Sequence, residues 1–143
     1  MSRVFADTGY WIALLNPRDD LHDRAKNLSQ SLQQVHIVTS EMVLTEVLNN
    51  RFSRGGENYR RAAVDLVHNL RSNPDTTVIP QTSTWFNRGL TLYRQRLDKA
   101  WSLTDCVSFE IMREQQITEA LAYDIHFTQA GFIPLLRNQI RRW

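Results

Sequence analysis

Short apolar runs alternate with longer stretches of helical spacing along the whole chain. Val4, Phe5 and Ala6 read as a buried strand that runs straight into Asp7 and Thr8, followed by a helix over 9–15 and a break at Pro17. Leu21, Ala25, Leu28 and Leu32 keep the 3.6-residue period and predict a helix over 20–32 with Asp20 as its N-cap. His36, Ile37, Val38 and Thr39 form a second strand, followed by a helix over 40–52 and a loop at Ser53-Arg54-Gly55-Gly56. Apolar positions 62, 63, 66, 67 and 70 place a helix over 59–70, and residues 76–80 make a third strand closed by Pro80. A helix over 85–97 offers Trp85, Phe86, Leu90 and Tyr93 to the core, and another covers 103–116. A fourth strand over 119–123 leads to a short helix at 126–130 that stops at Gly131, before a fifth strand over 132–136.

Short apolar strands separated by helices imply an α/β fold with a parallel sheet covered on both faces. The 143 residues suit one domain spanning 1–143, with no internal repeat, low-complexity tract or linker. The longest strongly apolar run, from Tyr10 to Leu15, is far short of the ~20 residues that span a bilayer, and an early acid interrupts any signal-peptide core. A single cysteine, Cys106, allows no intrachain disulfide. A cytoplasmic location is the expectation, with no membrane partner.

Charge changes the picture more in kind than in amount. The net charge is only +2, yet 15 of the 17 basic residues are arginine, whose planar fork suits phosphate and carboxylate. Genomic base composition would produce the same bias. If a cation neutralised four of the 15 acids, the remainder would carry 17 − 11 = +6, a surplus that favours a polyanionic partner.

Four acids stand out from a solvated surface pattern. Asp7 ends the first strand and Asp124 the fourth, and in an open parallel sheet functional groups gather at the carboxyl ends of strands. If the two strands are neighbours, the carboxylates lie side by side and need a cation or a shared proton. For each taken singly, helix N-capping is the favoured explanation, and it is the pair at one end of the sheet that points toward a site. Glu46 has Met42, Asn49 and Asn50 one turn away, an uncharged stripe that suits either a lined pocket or a surface. Asp105 fits a capping box with Ser102, but it also shares a stripe with Phe109 and Met112 that points inward. Converging carboxylates are what Mg²⁺-dependent phosphodiester chemistry requires, with no need for His, Cys or Ser.

These segments together resemble the PIN domain family, and within it the VapC-type toxins of bacterial toxin–antitoxin pairs, over nearly the whole chain. The resemblance rests on Val4-Phe5-Ala6-Asp7-Thr8-Gly9-Tyr10-Trp11, Thr39-Ser40-Glu41-Met42-Val43-Leu44-Thr45-Glu46, Trp101-Ser102-Leu103-Thr104-Asp105-Cys106 and Ala122-Tyr123-Asp124-Ile125-His126-Phe127 with Ala130-Gly131-Phe132. It implies a PIN-like three-layer fold with a five-stranded parallel sheet in the order 3-2-1-4-5, flanked by helices. It also implies an Mg²⁺- or Mn²⁺-dependent endoribonuclease that leaves a 3′-hydroxyl and a 5′-phosphate. Asp7, Glu46, Asp105 and Asp124 would be the catalytic and metal-binding residues, with Thr8 and Thr104 supplying hydroxyls that steady them. RNA substrate, a cognate antitoxin and a homodimer are the implied partners.

Other features carry less. His22, His36, His68 and His126 show no metal-ligand pairing, so zinc is not expected, and His126, though near Asp124, reads as helix surface. Asp98 reads as the solvated end of a helix. Arg51, Arg54, Arg60 and Arg61 bracket the Gly55-Gly56 loop and suit RNA or an antitoxin, or equally a plain solvated loop, while Arg137, Arg141, Arg142 and Trp143 read as a basic tail or a frayed end. No P-loop or G-x-S-x-G motif occurs. A receiver-like signalling domain would want Asp after the third strand and Lys after the fifth, where Gln81 and Arg137 stand. A non-catalytic RNA-binding or partner-binding protein with the same fold is the other alternative, and the intact acids count against it.

Overall fold

The computed structural model describes residues 2–137. Its elements follow in the order β1 (Ser2–Ala6), α1 (Thr8–Leu15), α2 (His22–Gln30), β2 (Val35–Ser40), α3 (Glu41–Asn49), α4 (Glu57–Ser72), β3 (Thr76–Ile79), α5 (Ser83–Gln95), α6 (Leu103–Glu114), β4 (Glu119–Leu121), α7 (Ile125–Gln129) and β5 (Ile133–Pro134). All strand pairings are parallel, and the sheet runs β3-β2-β1-β4-β5. The order 3-2-1-4-5 is therefore the observed one.

Strand β1 lies at the centre, and Val4, Phe5 and Ala6 have no solvent contact. A strand buried on both faces reads as a continuous apolar run, which is why no polar alternation marks it in the sequence. The chain steps from β1 to β2 to β3 in one direction and then crosses back to β4 and β5. Right-handed crossovers then place α1 to α4 on one face and α5 to α7 on the other. The helix contacts agree: α1 packs on α2 and α3, α3 on α4, and α5 on α6.

Register fixes what matters for a site. Phe5 sits beside Ala120 and Ala6 beside Leu121, and the Asp7 N–H donates to Leu121 O at 3.1 Å. The carboxyl ends of β1 and β4 are thus level, with Asp7 and Asp124 leaving the same edge of the sheet.

Three local expectations give way. Asp20 does not cap α2; Leu21 holds the N-cap position, and the Asp19 carboxylate accepts from the Leu21 N–H in a tight turn. Helix α3 stops at Asn49 because the Asn50 side chain accepts from Phe52 N–H, drawing the backbone out of the helix. On α5, Phe86, Leu90 and Tyr93 are exposed, while Gly89 and Leu92 are buried. Gly89 decides this, since a Cβ there would lie 2.4 Å from Val107 Cγ2 of α6. The helix pair comes together on its glycine face, and that close approach outweighs the larger apolar arc. Trp85 alone of the expected four packs partly against the core. Arg141, Arg142 and Trp143 lie outside the described residues.

Candidate active site

The carboxyl edge of the sheet gathers the four predicted acids from four different helix starts and faces. Asp7 occupies the N-cap position of α1 in an extended conformation, but its side chain makes no capping hydrogen bond. Capping therefore does not account for it. Burial of the carboxyl, then the nearby charge of Asp105, with smaller contributions from Glu46 and Asp124, pushes its pKa up to about 7. All three other acids act on Asp7, so the four share one electrostatic neighbourhood.

Asp105 is buried at the start of α6, beside Phe109 and Met112 as its stripe predicts. The capping box with Ser102 is present: Asp105 N–H donates to Ser102 Oγ and Ser102 N–H to Asp105 Oδ2, both at 3.0 Å. Burial raises the Asp105 pKa, opposed by the Ser102 amide and His126. Asp124 caps α7, its Oδ1 accepting from the His126 N–H at 3.0 Å. Capping and a place in the acid cluster coexist in both residues. Glu46 projects from the exposed side of α3, where its Oε1 accepts from Thr8 Oγ1 at 2.8 Å. Thr8 thus steadies an acid as expected. Thr104 is buried and makes no hydrogen bond to any of the four among the described residues.

His126 departs from the sequence reading. It is not a free helix-surface residue: its Nδ1 lies 3.0 Å from Asp105 Oδ2 and 3.3 Å from Asp124 Oδ1, with the side chain 22% exposed. The contact with Asp105, 21 residues away in the chain, has no local signature.

No lysine or arginine pairs with any of the four acids among the described residues, in contrast to Asp98, which is held by Arg96 and Lys99. Nor do three described His, Cys, Asp or Glu side chains come close enough to hold an ion by direct contact. Hard oxygen donors, a surplus of negative charge and incomplete direct ligation fit Mg²⁺ or Mn²⁺. Such ions take one or two carboxylates and keep several waters.

Beyond the acids, Arg54, Arg60 and Arg61 converge with Leu48 and Val64 on a cavity of about 780 Å³ between α3 and α4. Arg51 is not among its lining residues. Arg137 stacks its guanidinium 4.2 Å over the exposed ring of Tyr123, next to Asp124.

Comparison with known proteins agrees with this geometry. The chain is 32% identical over 134 residues to the 23S rRNA-specific endonuclease VapC20 of two Mycobacterium tuberculosis strains, covering 91% of this chain and 95% of the relative. The crystal structure of M. tuberculosis VapC20, described as a sarcin–ricin loop cleaving toxin, superposes with a TM-score of 0.80 over 91% of this chain and 96% of that one. FitAcB from Neisseria gonorrhoeae has the same fold at 13% identity, with a TM-score of 0.55 over 92% of this chain and 94% of that one. No family model matches the sequence.

Proposed function

The chain belongs to the VapC-type PIN toxins and is an RNA-cleaving endonuclease, and from that premise we propose that Asp7, Glu46, Asp105 and Asp124 form its catalytic site around Mg²⁺ or Mn²⁺. The observation that carries this reading is Asp7: an acid at the end of the central strand that makes no N-cap hydrogen bond, its pKa lifted to about 7 by burial and three like charges against one backbone hydrogen bond at Thr8. Nothing in the architecture of the fold requires a carboxylate there. A helix start takes Ser, Thr or Asn as readily.

The bound ion would supply charge neutralisation for the scissile phosphate and an acidified water. The chain's residues do the positioning. Asp7 and Asp105 hold negative charge at the protected base of the site, while Glu46, fixed by Thr8, and Asp124, fixed by the α7 amide, close its more open side. Arg54 and Arg60, beside an Arg61 that pairs with Glu57, would supply cationic groups suited to the phosphate backbone or to an acidic partner segment.

The name of the relative points to 23S ribosomal RNA, and its sarcin–ricin loop, as the substrate to test first. A cognate antitoxin is the proposed protein partner. A homodimer is proposed on the exposed α5 stripe of Phe86, Leu90, Tyr93 and the following Leu97, which a second copy would cover. One hydrophobic core supports residues 1–143 acting as a single nuclease domain. No helix among the described residues is long and apolar enough to cross a membrane. A cytoplasmic site of action is proposed from the RNA substrate.

The test is cleavage of 23S rRNA, free and in ribosomes, with Mg²⁺, Mn²⁺ or EDTA, beside the Asp105→Asn variant. Metal-dependent cleavage by the wild type and loss in the variant are expected. Cleavage that persists in EDTA and in Asp105→Asn overturns the assignment, and RNA binding without turnover under every metal favours a non-catalytic role.

A further inference from the structure

Three of the four acids are tied at one carboxyl oxygen. Glu46 Oε1 accepts from Thr8 Oγ1 at 2.8 Å and Asp124 Oδ1 from the His126 N–H at 3.0 Å. Asp105 Oδ2 accepts twice at 3.0 Å, from the Ser102 N–H and from His126 Nδ1. The opposite oxygen of each has no hydrogen bond from the described residues. One donor fixes where an oxygen sits but leaves the carboxylate plane free to turn. Two donors from different elements fix the plane as well.

The second tie on Asp105 has no structural task at the helix end. The capping box already satisfies Ser102 and closes the first turn of α6 without His126. The imidazole reaches in from α7, is partly buried, and also lies 3.3 Å from Asp124 Oδ1, so one ring holds acids of two elements side by side. Outer partners that orient ligating groups in this way commonly govern how well a site holds its ion.

We infer that His126 is a positioning residue for the acid cluster: its Nδ1–H, with the Ser102 amide, locks Oδ2 of Asp105 and leaves Oδ1 as the single oxygen offered to a divalent cation. The inference rests on the metal-dependent reading above and adds to it the residue that sets how Asp105 binds. It also assigns a tautomer, because an Nδ1 that donates to a carboxylate must carry the proton.

Two measurements on the full chain test it without reference to RNA cleavage. The first is Mn²⁺ affinity by calorimetry for wild type, His126→Asn, His126→Gln and His126→Ala. Asn can place an amide N–H near the Nδ1 position, whereas Gln reaches the Nε2 position and Ala has no donor. Wild type and His126→Asn are expected to bind within about threefold of each other, and His126→Gln and His126→Ala to bind ~10- to 100-fold more weakly. Equal affinity in wild type and His126→Ala, with thermal melts confirming folded protein, overturns the inference alone. Absence of Mn²⁺ binding by the wild type overturns the metal reading and this inference together. The second is the imidazole ¹⁵N shifts of the metal-free chain, where protonated Nδ1 is expected and an Nε2–H tautomer overturns the assignment whatever the calorimetry gives.

Discussion

Two groups of carboxylates, which share helix α6 between them, meet opposite fates in this molecule. On the outer helices, Glu110 and Glu114 of α6 are answered by arginine: Arg88 of α5 reaches Glu114 at 2.6 Å and Glu110 at 3.4 Å, and Arg113 also pairs with Glu110. At the carboxyl edge of the sheet, Asp7, Glu46, Asp105 and Asp124 have only His126 as an ionisable partner of opposite sign among the described residues. The first group is solved within the fold. The second is left with a surplus of charge, which folding alone would not favour and which a cation would relieve. A cluster of acids becomes informative through what is withheld from it.

The sharpest way to break this contrast is to remove the charge at the centre of the unpaired group. Asp7→Asn should lower RNA cleavage by more than ~100-fold, beyond the loss typical of an outer partner, measured as the initial rate in Mn²⁺. Near-normal turnover would mean that the uncompensated cluster has no catalytic meaning.

The same substitution should move stability the other way. A carboxyl raised from 3.8 when unfolded to about 7 when folded stabilises the fold fully only below the lower value. That contribution is lost as pH rises from about 4 through about 7. In EDTA at pH 8, Asp7→Asn should therefore be more stable than wild type by roughly 1–3 kcal/mol, less than the full linkage value because Asp7 keeps some solvent contact. The gap should close by pH 4, and saturating Mn²⁺ should raise the wild-type melting temperature but not that of the variant. Urea titrations at the two pH values read the first effect. An equal gap at both would remove the charge argument.

Changes on the helical side should separate stability from function. Gly89→Ala forces a methyl group against Val107 and should cost about 1–3 kcal/mol, with Mn²⁺ affinity unaltered in the folded fraction. Smallest of all, Arg88→Gln breaks a largely solvent-screened network and should change stability by less than ~1 kcal/mol, with cleavage unchanged. A large activity loss in Arg88→Gln would show that the two groups of acids are coupled.

Legibility in the sequence followed the range of the interactions involved. Val4-Phe5-Ala6 is readable as a strand because burial on both faces leaves an apolar signature in the run itself, and His36 to Thr39 because β-branched Ile37, Val38 and Thr39 stand in a row. Asp7 and Asp124 are readable as edge residues because Asp7 directly follows β1 and Asp124 comes three residues after β4, and Ser102 with Asp105 because a capping box is a four-residue pattern. The exposed side of α5 was misplaced for the opposite reason. A hydrophobic wheel counts apolar side chains, whereas the real contact is made through Gly89, which has none.

The sequence by itself determined the alternation of strand and helix, the strand-end positions of two acids and the excess of arginine, all properties set by neighbours within a turn or a run. Only the tertiary structure decided that the four acids share one electrostatic neighbourhood, that no arginine among the described residues pairs with them, and that the His126 ring reaches Asp105 across 21 residues. Those outcomes depend on parallel register and crossover handedness, which bring distant segments level. No local pattern encodes a contact whose partners meet only after the sheet has formed.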